Sequence, residues 1–300
     1  MKGTVGVIGL GIMGGAIARN LVERGWEVLG FDTSSERREE AAGAGVQLAP
    51  DVADLASWAE RIITSLPSPK AVAATAEAIA RAGVAPRIVA EASTLALEDK
   101  IAFEQVLSSA GHHALDCPLS GTGAQAQTRD LVVYASGDTG AIARTMPVFA
   151  DFSREAHDLG VFGNGTRMKL VANLLVAIHN VASAEAMVLG AKAGLDPDQI
   201  VKLVSTGAGT SRIFELRAPM MAADRYEPPT MKVAVWQKDM DVIGRFAAEL
   251  GVETPLFSAS GPIYDAAIAA GLGGLDTAAV CRVIEGRSGL DRITQPDRQG

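Results

Sequence analysis

The chain has few of the residues from which disulfide frameworks and metal centres are built. Its 300 residues include two cysteines and four histidines. The cysteines, Cys117 and Cys281, lie far apart, and no C-x-x-C or H-x-x-x-H spacing is present. Two separated cysteines in a chain of this length do not make a disulfide framework. We therefore expect neither structural disulfides nor a metal site.

Positive charge is also sparse. Lys and Arg total 27 against 35 Asp and Glu, which gives a net charge of −8. The basic residues are scattered, so neither nucleic acid nor an anionic membrane surface is an expected partner. A hydrophobic content of 48% with 21% charged residues provides enough apolar material for the cores of two domains.

Two apolar segments invite comparison with targeting or membrane sequences. The first, "MKGTVGVIGLGIMGG", is interrupted by glycine every few residues and leads into an amphipathic helix, so it is not read as a signal peptide. The second, 170–194, is long enough to span a membrane. Its polar residues argue against that reading, and the sequence predicts a cytoplasmic protein without a membrane partner. Those residues are Asn173, His179, Asn180, Glu185 and Lys192.

The first half of the chain alternates between short β-rich runs and helical stretches. This alternation is typical of a parallel sheet covered by helices on both faces. The predicted strands are 4–10, 27–32, 61–67, 87–93, 113–119 and 131–137. The predicted helices between them are 12–24, 34–43, 70–82, 95–110 and 139–150.

The pattern changes near "GNG" at 163–165, beyond which no convincing strand is found. The sequence therefore predicts an α/β doubly wound domain over 1–164, a long interdomain helix over 165–194 and an all-α domain over 195–300. The polar tail 287–300 is expected to be loose. The predicted helices of this half are 167–193, 197–206, 212–222, 231–250, 256–271 and 276–286.

A glycine-rich loop follows the first predicted strand. "GLGIMGG" contains G-x-G-x-x-G at Gly9, Gly11 and Gly14, and it opens a predicted helix. Alone this motif is weak, because a plain strand–turn–helix also uses glycine for packing. Here the second strand ends at Asp32, close to the expected spacing for a Rossmann-type dinucleotide-binding unit. In that unit Gly9 permits the tight turn, Gly11 admits the pyrophosphate, and Gly14 lets helix and strand pack closely.

Asp32 bears on the choice of cofactor. A carboxylate at the end of the second strand accepts hydrogen bonds from the ribose hydroxyls of NAD and repels the 2′-phosphate of NADP. Arg37 and Arg38 follow on the next helix and offer positive charge to that phosphate. We weigh Asp32 more heavily and expect NAD, with NADP less favoured. An alternative role for Asp32 is to cap the next helix, and the two roles are compatible.

The long helix carries a polar stripe. Lys169, Asn173 and Asn180 are separated by steps that return to one face at about 3.6 residues per turn. Either Lys169 extends to solvent while the amides satisfy loop backbone, or the stripe lines a site. A lysine on an otherwise apolar helix is costly to bury unless its charge is paired or hydrogen-bonded.

Four motifs, in order along nearly the whole chain, resemble those of the β-hydroxyacid dehydrogenase family. They are "GLGIMGG", "DCPLSGTGAQA" at 116–126, "GNGTRMKLVAN" at 163–173 and "KDMDV" at 238–242. The resemblance implies a Rossmann-type domain followed by an all-α domain, and the interconversion of a small 3-hydroxy acid with its semialdehyde or keto form. In the first motif, the implied cofactor contacts are Gly9, Leu10, Gly11, Ile12, Met13 and Gly14.

The other motifs imply the remaining site residues. Lys169 matches the family's catalytic lysine and Asn173 the amide that holds the substrate. Ser120, Gly121 and Thr122 match the loop that grips the substrate carboxylate through hydroxyl and backbone N–H groups. A lysine with a lowered pKa serves as general acid and base in such a reaction. The apolar surroundings of Lys169 would favour its neutral form by desolvation.

Four further matches concern the cofactor. Leu66 and Pro67 match the strand end that packs on it, Thr94 matches a contact beside the nicotinamide, and Lys238 matches a lysine that completes the closed site. The chain departs from the family at Thr122, where glycine is usual. It also has Met231 where the family often has an aromatic against the substrate, and "STLAL" lacks the usual proline. These departures leave the substrate open.

Two other function classes fit the same architecture. A catalytically silent NAD(P)-binding module would lack the lysine, and imine or keto reductases usually replace it, so the presence of Lys169 disfavours both. We expect a homodimer or homotetramer, because the helical half is small and rich in apolar faces. Cys117 is expected to pack, and the roles of Arg212, Arg129 and Asn180 stay open.

Overall fold

The computed structural model describes residues 2–290, which divide between Leu170 and Val171 into two compact units. The first unit is built on a nine-stranded sheet. The second is helical, and among residues 171–290 its β-structure is confined to an isolated bridge between Lys232 and Asp276. The expected α/β domain followed by an all-α domain is therefore confirmed. The predicted boundaries at 164 and 194 stay predictions, and the tail prediction for 291–300 lies outside the described residues.

The sheet runs in the order β3-β2-β1-β4-β5-β6-β8-β7, with β9 beside β8. From β3 to β6 every pairing is parallel, which confirms the parallel arrangement predicted for β1, β2, β4, β5 and β6. The strands are β1 (Thr4–Ile8), β2 (Glu27–Phe31), β3 (Gln47–Leu48), β4 (Arg61–Thr64), β5 (Ile88–Glu91), β6 (His113–Asp116), β7 (Leu119–Ser120), β8 (Val132–Gly137) and β9 (Glu155–Asp158).

The prediction of a wholly parallel sheet is wrong at β8, which is antiparallel to both β6 and β7. A parallel connection needs a crossover of about a dozen residues or more, usually a full helix. The segment between β6 and β8 instead forms β7 and one short helix, Gly123–Gln127. That segment is the predicted substrate loop. Because it forms no crossover helix, the chain returns and β8 pairs antiparallel with β6.

Helices cover the sheet of the first unit. They are α1 (Ile12–Glu23), α2 (Ser35–Gly43), α3 (Val52–Trp58), α4 (Pro69–Arg81), α5 (Leu97–Ser109), α6 (Gly123–Gln127) and α7 (Thr139–Phe152). The prediction missed α3 and α6, which are too short to show helical periodicity, and also β3 and β9, which are short and largely exposed.

Two apolar cores lie on the two faces of this sheet. Ile62 belongs to one core and Ile63 to the other, as do Ala114 and Leu115. Successive strand residues point to opposite faces. Both faces are therefore buried, which leaves the ends of the strands as the places where polar chemistry can reach solvent.

The helix α8 (Asn164–Lys192) begins in the first unit and ends in the second. Among the described residues it is the one helix long and apolar enough to cross a membrane, and 44% of its most apolar window is buried. Its polar residues Asn173 and Asn180 are buried and donate hydrogen bonds to residues of the helical unit. Buried amide contacts of this kind are typical of a helix that packs in a protein core.

The helical unit contains a buried ion pair between Arg217 and Asp276. Asp276 accepts hydrogen bonds from Arg217 at 2.6 and 2.7 Å, and from the backbone N–H of Thr230 at 2.7 Å. Trp236 and Tyr264 pack beside each other in the core. After α8, the helices are α9 (Pro197–Val204), α10 (Arg212–Ala222), α11 (Val233–Glu249), α12 (Pro255–Ala269), a 3₁₀ turn (Thr277–Ala279) and α13 (Val280–Arg287).

Candidate active site

The glycine loop joins β1 to α1 with three glycines in three different roles. Gly9 has φ +88°, and a Cβ there would collide with the carbonyl oxygen of Ser65. A Cβ at Gly14 would collide with the carbonyl oxygen of Gly9, so this glycine lets the helix lie against the loop. At Gly11 no described atom lies within 4 Å of an added Cβ. The loop therefore leaves open space at the one glycine predicted to face a pyrophosphate.

The N-terminus of α1 suits an anion. The first backbone N–H groups of a helix lack intrahelical acceptors and carry the positive end of its dipole. Gly11 is the capping residue and offers no side chain to these donors. Ile12, which is 67% exposed, and half-buried Met13 form the first turn with Gly14. Open space at Gly11 beside such a helix start fits the phosphates of a dinucleotide.

Asp32 is tied to the glycine loop. Its Oδ2 accepts the N–H of Leu10 at 2.7 Å, and its Oδ1 accepts the N–H of Ser34 at 2.8 Å. The alternative role for Asp32 as a helix cap is wrong, because Ser34 is the residue that caps α2. Arg37 pairs with Glu40 at 3.1 Å, which partly answers its charge. The carboxylate thus lies directly beside the loop where a ribose would follow the pyrophosphate.

Leu66 and Pro67 follow the end of β4, and Thr94 follows the end of β5; in the sheet β4 lies between β1 and β5. The N–H of Leu66 donates to the Ser93 hydroxyl at 2.8 Å, so the two loops are joined. Ligands of such sheets bind outside the carboxyl ends of the strands. The structure therefore brings these residues to the same edge as the glycine loop.

The predicted substrate loop is locked by its own capping box. Gly121 has φ +137°, a conformation that favours glycine, and a Cβ there would clash with Leu131. Thr122 caps α6: its hydroxyl accepts the N–H of Gln125, while its own N–H donates to the Gln125 side chain at 3.0 Å. The backbone N–H predicted to grip a carboxylate at Thr122 is therefore bonded within the loop. Ser120 and Gly121 are half-buried at the loop's start.

The start of α8 is pressed against this loop. A Cβ at Gly165 would collide with the Tyr134 carbonyl, and would lie 2.7 Å from the Asp116 carbonyl oxygen and 3.0 Å from Pro118 Cδ. Glycine is therefore required for this approach. Lys169 lies one helical turn further on, about 6 Å along the axis, and is 9% exposed. Lys169 thus lies one turn along α8 from the point where Gly165 meets the beginning of the substrate loop.

Asn173, one turn beyond Lys169, is held by a residue that the sequence did not single out. Its Nδ2 donates to Asp239 Oδ2 at 3.1 Å. Lys238, the neighbour of Asp239, has an exposed side chain whose Nζ lies 3.5 Å from Asp239 Oδ1. The K-D pair in "KDMDV" is the sequence signal for Asp239, although the family resemblance implies a role only for its lysine.

The other residues considered in the sequence analysis have contacts that do not involve the residues described above. Asn180 donates to the Tyr264 hydroxyl at 3.0 Å and to the Thr277 carbonyl at 2.9 Å, so it belongs to the core of the helical unit. Burial raises the pKa of the Cys117 thiol well above its usual range, and the Asp116 charge adds to this. That pKa supports a packing role for Cys117. Arg212 is exposed and pairs with Glu215. Arg129 has φ +61° beside α6.

No group of three His, Cys, Asp or Glu residues within 2–290 is arranged to hold a metal ion.

Residues 4–163 match the family described as the NAD binding domain of 6-phosphogluconate dehydrogenase, and residues 163–284 match that described as NAD-binding of NADP-dependent 3-hydroxyisobutyrate dehydrogenase. An L-threonate dehydrogenase from Cupriavidus necator is 30% identical over 290 residues, which cover 95% of this chain and 97% of that protein. The chain belongs to the β-hydroxyacid dehydrogenase family.

Other relatives of this family member act on related compounds, according to their names. Glyoxylate/succinic semialdehyde reductase 1 from Arabidopsis thaliana is 28% identical, with 94% of this chain and 98% of the relative covered. The structure of 3-hydroxyisobutyrate dehydrogenase from Mycobacterium tuberculosis with L-serine superposes with a TM-score of 0.85. It is 27% identical, and 94% of this chain and 98% of that chain are covered. This β-hydroxyacid dehydrogenase is thus an NAD(P)-dependent enzyme that acts on the CH–OH group of a hydroxy acid.

Proposed function

We propose that the enzyme interconverts a small 3-hydroxy acid and its semialdehyde or keto form, with Lys169 as general acid and base. The observation that carries this proposal is the buried Lys169, one turn beyond the point where Gly165 packs against the substrate loop. When bound, the nicotinamide cofactor accepts or supplies the hydride.

Lys169 accounts for the proton. Oxidation of a C–OH carbon requires a base to take the hydroxyl proton, and the reverse reduction requires an acid to return it. The amine of a neutral lysine accepts that proton, and the ammonium so formed donates it back. A buried position limits exchange of this proton with bulk water. It also holds the amine in one geometry, which favours transfer along a single direction.

The substrate is held by groups at the substrate loop and on α8. In this proposal the Ser120 hydroxyl and the Gly121 N–H bind the acid end, and Asn173 fixes the reacting oxygen. Thr122 acts differently from the glycine usual in the family, because its N–H is already bonded to Gln125. It shapes the loop through its capping box. The acid end therefore relies on fewer backbone donors than the motif alone implies.

NAD is the proposed preferred cofactor. Asp32 Oδ1 and Oδ2 each accept one backbone N–H, and a carboxylate has further lone pairs for ribose hydroxyls. Its negative charge disfavours a 2′-phosphate at the same place. Leu66, Pro67, Thr94 and Lys238 are retained as proposed cofactor contacts.

A spectrophotometric screen tests the proposed reaction. NAD and NADP are each tested with hydroxyisobutyrate, glycerate, serine, threonate and hydroxybutyrate, and the reduced cofactors with succinic semialdehyde and glyoxylate. We expect turnover of at least one acid–carbonyl pair, with NAD favoured. Tight NADH binding without turnover of any compound would contradict the reaction while leaving the cofactor site intact.

We also infer a cytoplasmic homodimer or homotetramer associated through α8. Large apolar side chains along this helix are exposed in the single chain, and a second copy would cover them. Light scattering on the purified protein tests this inference, and a stable monomer would contradict it. The exposed residues are Met168, Val171, Leu175 and Leu189.

A further inference from the structure

A lysine and two carboxylates lie completely buried at the ends of β5 and β6. The parallel register places Glu91 beside Asp116, and Lys100 reaches both from α5. Lys100 Nζ pairs with Glu91 Oε2, and it lies 3.1 Å from Asp116 Oδ1. All three side chains are 0% exposed. None of them has a role in the proposed reaction, so their burial needs a separate explanation.

Three buried charges are expensive unless each finds close partners. Burial alone would lower the pKa of Lys100, but the charges of Glu91 and Asp116 outweigh it, and the pKa is raised. Lys100 is therefore an ammonium held between the carboxyl groups of Glu91 and Asp116. Further hydrogen-bond donors have to satisfy the two carboxylates.

The donors to Glu91 come from the cofactor side. Glu91 Oε1 accepts the N–H of Ser93 at 3.0 Å. The Ser93 hydroxyl in turn accepts the N–H of Leu66 at 2.8 Å. Glu91 thereby holds the loop that carries Thr94, and through Ser93 the loop that carries Leu66.

The donors to Asp116 come from the first turn of α8. Asp116 accepts the N–H of Thr166 at 2.7 Å and its hydroxyl at 2.8 Å. The Ser136 hydroxyl, bonded to Asp116, accepts the N–H of Gly165 at 2.9 Å. A carboxylate at this place accepts one of the first-turn N–H groups that lack an intrahelical acceptor, and it interacts favourably with the positive end of the helix dipole. Lys169 lies three residues beyond Thr166.

From these contacts we infer that Lys100 is a positioning residue, which joins the Ser93–Thr94 loop to the first turn of α8 through Glu91 and Asp116. The inference rests on the proposed role of Lys169. The Lys100 ammonium contacts both carboxylates. The Ser93–Thr94 loop and the helix that carries Lys169 are therefore both connected to the same side chain. Their mutual placement then depends on a group that touches neither substrate nor cofactor.

A purely structural role is the competing explanation, and it makes a different prediction. A buried ion cluster that serves stability alone can be weakened with a loss of stability and no selective loss of turnover. If the cluster positions catalytic groups, removing its hydrogen bond to either the Ser93–Thr94 loop or the first turn of α8 lowers turnover even where stability is retained. The reason is that small misplacements of a catalytic group slow the chemistry strongly.

Thr166→Val removes the hydrogen bond from the Thr166 hydroxyl to Asp116 and nearly preserves the volume of the side chain. Thr145→Val is the matched control, because Thr145 is also buried in the first unit and donates its hydroxyl to Ala141 within its own helix. We expect Thr166→Val to lower kcat by roughly 10-fold to 100-fold, with Tm and the Kd for NADH close to those of Thr145→Val. Equal kcat values in the two variants would overturn the inference.

Hydrogen exchange tests the connection independently of activity. In Lys100→Met, backbone exchange is expected to rise together in residues 91–96 and 163–169, and by more than the general rise that lower stability produces in residues 139–152. A rise confined to residues 97–109 would overturn the inference. Should Lys100→Met fail to fold, Ser93→Ala and Thr166→Val, compared by exchange in the same segments, give the decision. Full activity of a Lys169 variant would remove the proposed catalytic role while leaving this exchange result to stand separately.

Discussion

The Asn173 amide donates a hydrogen bond to the Asp239 carboxylate at 3.1 Å, and both side chains are buried. An amide can point either end at a substrate, and a fixed acceptor on its Nδ2 decides which end is used. With Nδ2 bound to Asp239, the Oδ1 of Asn173 has a defined direction. Asp239 thus orients a residue that the motif assigns to substrate binding.

Replacing Asp239 should separate orientation from charge. In Asp239→Leu the Asn173 donor loses its acceptor, so we expect a higher KM, a lower kcat and a loss of about 1–3 kcal/mol in the free energy of unfolding. Asp239→Asn keeps an acceptor oxygen and should stay close to the wild type in KM. Kinetics and urea unfolding measure both variants. A KM in Asp239→Leu equal to that of the wild type would show that Asp239 does not orient a substrate contact.

Asn180 should behave as a core residue even though it lies on the stripe with Lys169. Tyr264→Phe removes the hydroxyl that accepts from Asn180 and donates to the Ala177 carbonyl. We expect a loss of about 1–2 kcal/mol in stability, seen as a lower Tm, with kcat and KM unchanged. A selective loss of turnover at unchanged Tm would instead connect Asn180 to the site.

Cofactor preference should depend on Asp32. In Asp32→Asn the negative charge is gone and one of the two backbone donors loses its acceptor, so the ratio of kcat/KM for NAD to that for NADP should fall by about 10-fold or more. Asp51→Asn is the matched control, because Asp51 also accepts a backbone N–H, at the start of α3, away from the glycine loop. An unchanged ratio in Asp32→Asn would remove Asp32 from the cofactor site.

The contribution of Lys100 to stability should depend on pH in one direction. Its pKa is raised in the folded state, because the Glu91 and Asp116 charges outweigh burial. A raised pKa means that the stabilisation is complete below the unfolded-state pKa of about 10.4 and is lost as pH rises through the folded-state value. Lys100→Met should therefore be about 3–5 kcal/mol less stable than the wild type around neutral pH.

Urea unfolding at several pH values measures this difference. It should stay constant through neutral and mildly alkaline pH and shrink above about pH 10.4. Lys192→Met is the control, because Lys192 is exposed near the end of α8. A difference that grows as pH rises would contradict the assigned direction.

The sequence was most informative where chemistry constrains local geometry. The glycine spacing at Gly9, Gly11 and Gly14 predicted a turn, an open position and a close helix contact, and the structure has all three. Helical spacing placed Lys169 and Asn173 together on a buried face. These features depend on neighbours within one turn or one loop, which a single sequence displays.

Features that depend on distant partners were missed. Lys100 follows Glu98 and Asp99 in a segment that looks like a solvated helix face, yet it is buried against β5 and β6. Asp239 acquires its role only through Asn173, 66 residues away. β8 turned antiparallel because the loop before it forms α6 in place of a crossover. None of these partners can be found by periodicity.

The role of Lys169 is tested most directly by one comparison of variants. Lys169→Ala and the control Lys192→Ala, on the same helix, are assayed for turnover with the acid found by the screen, and NADH affinity is measured for both. We expect kcat to fall by about 100-fold to 10,000-fold in Lys169→Ala alone, with the NADH Kd unchanged, because a general acid–base group is lost and the cofactor loop is intact. Near-normal turnover in Lys169→Ala, or lost NADH binding with the chemistry preserved, would contradict the catalytic role of Lys169.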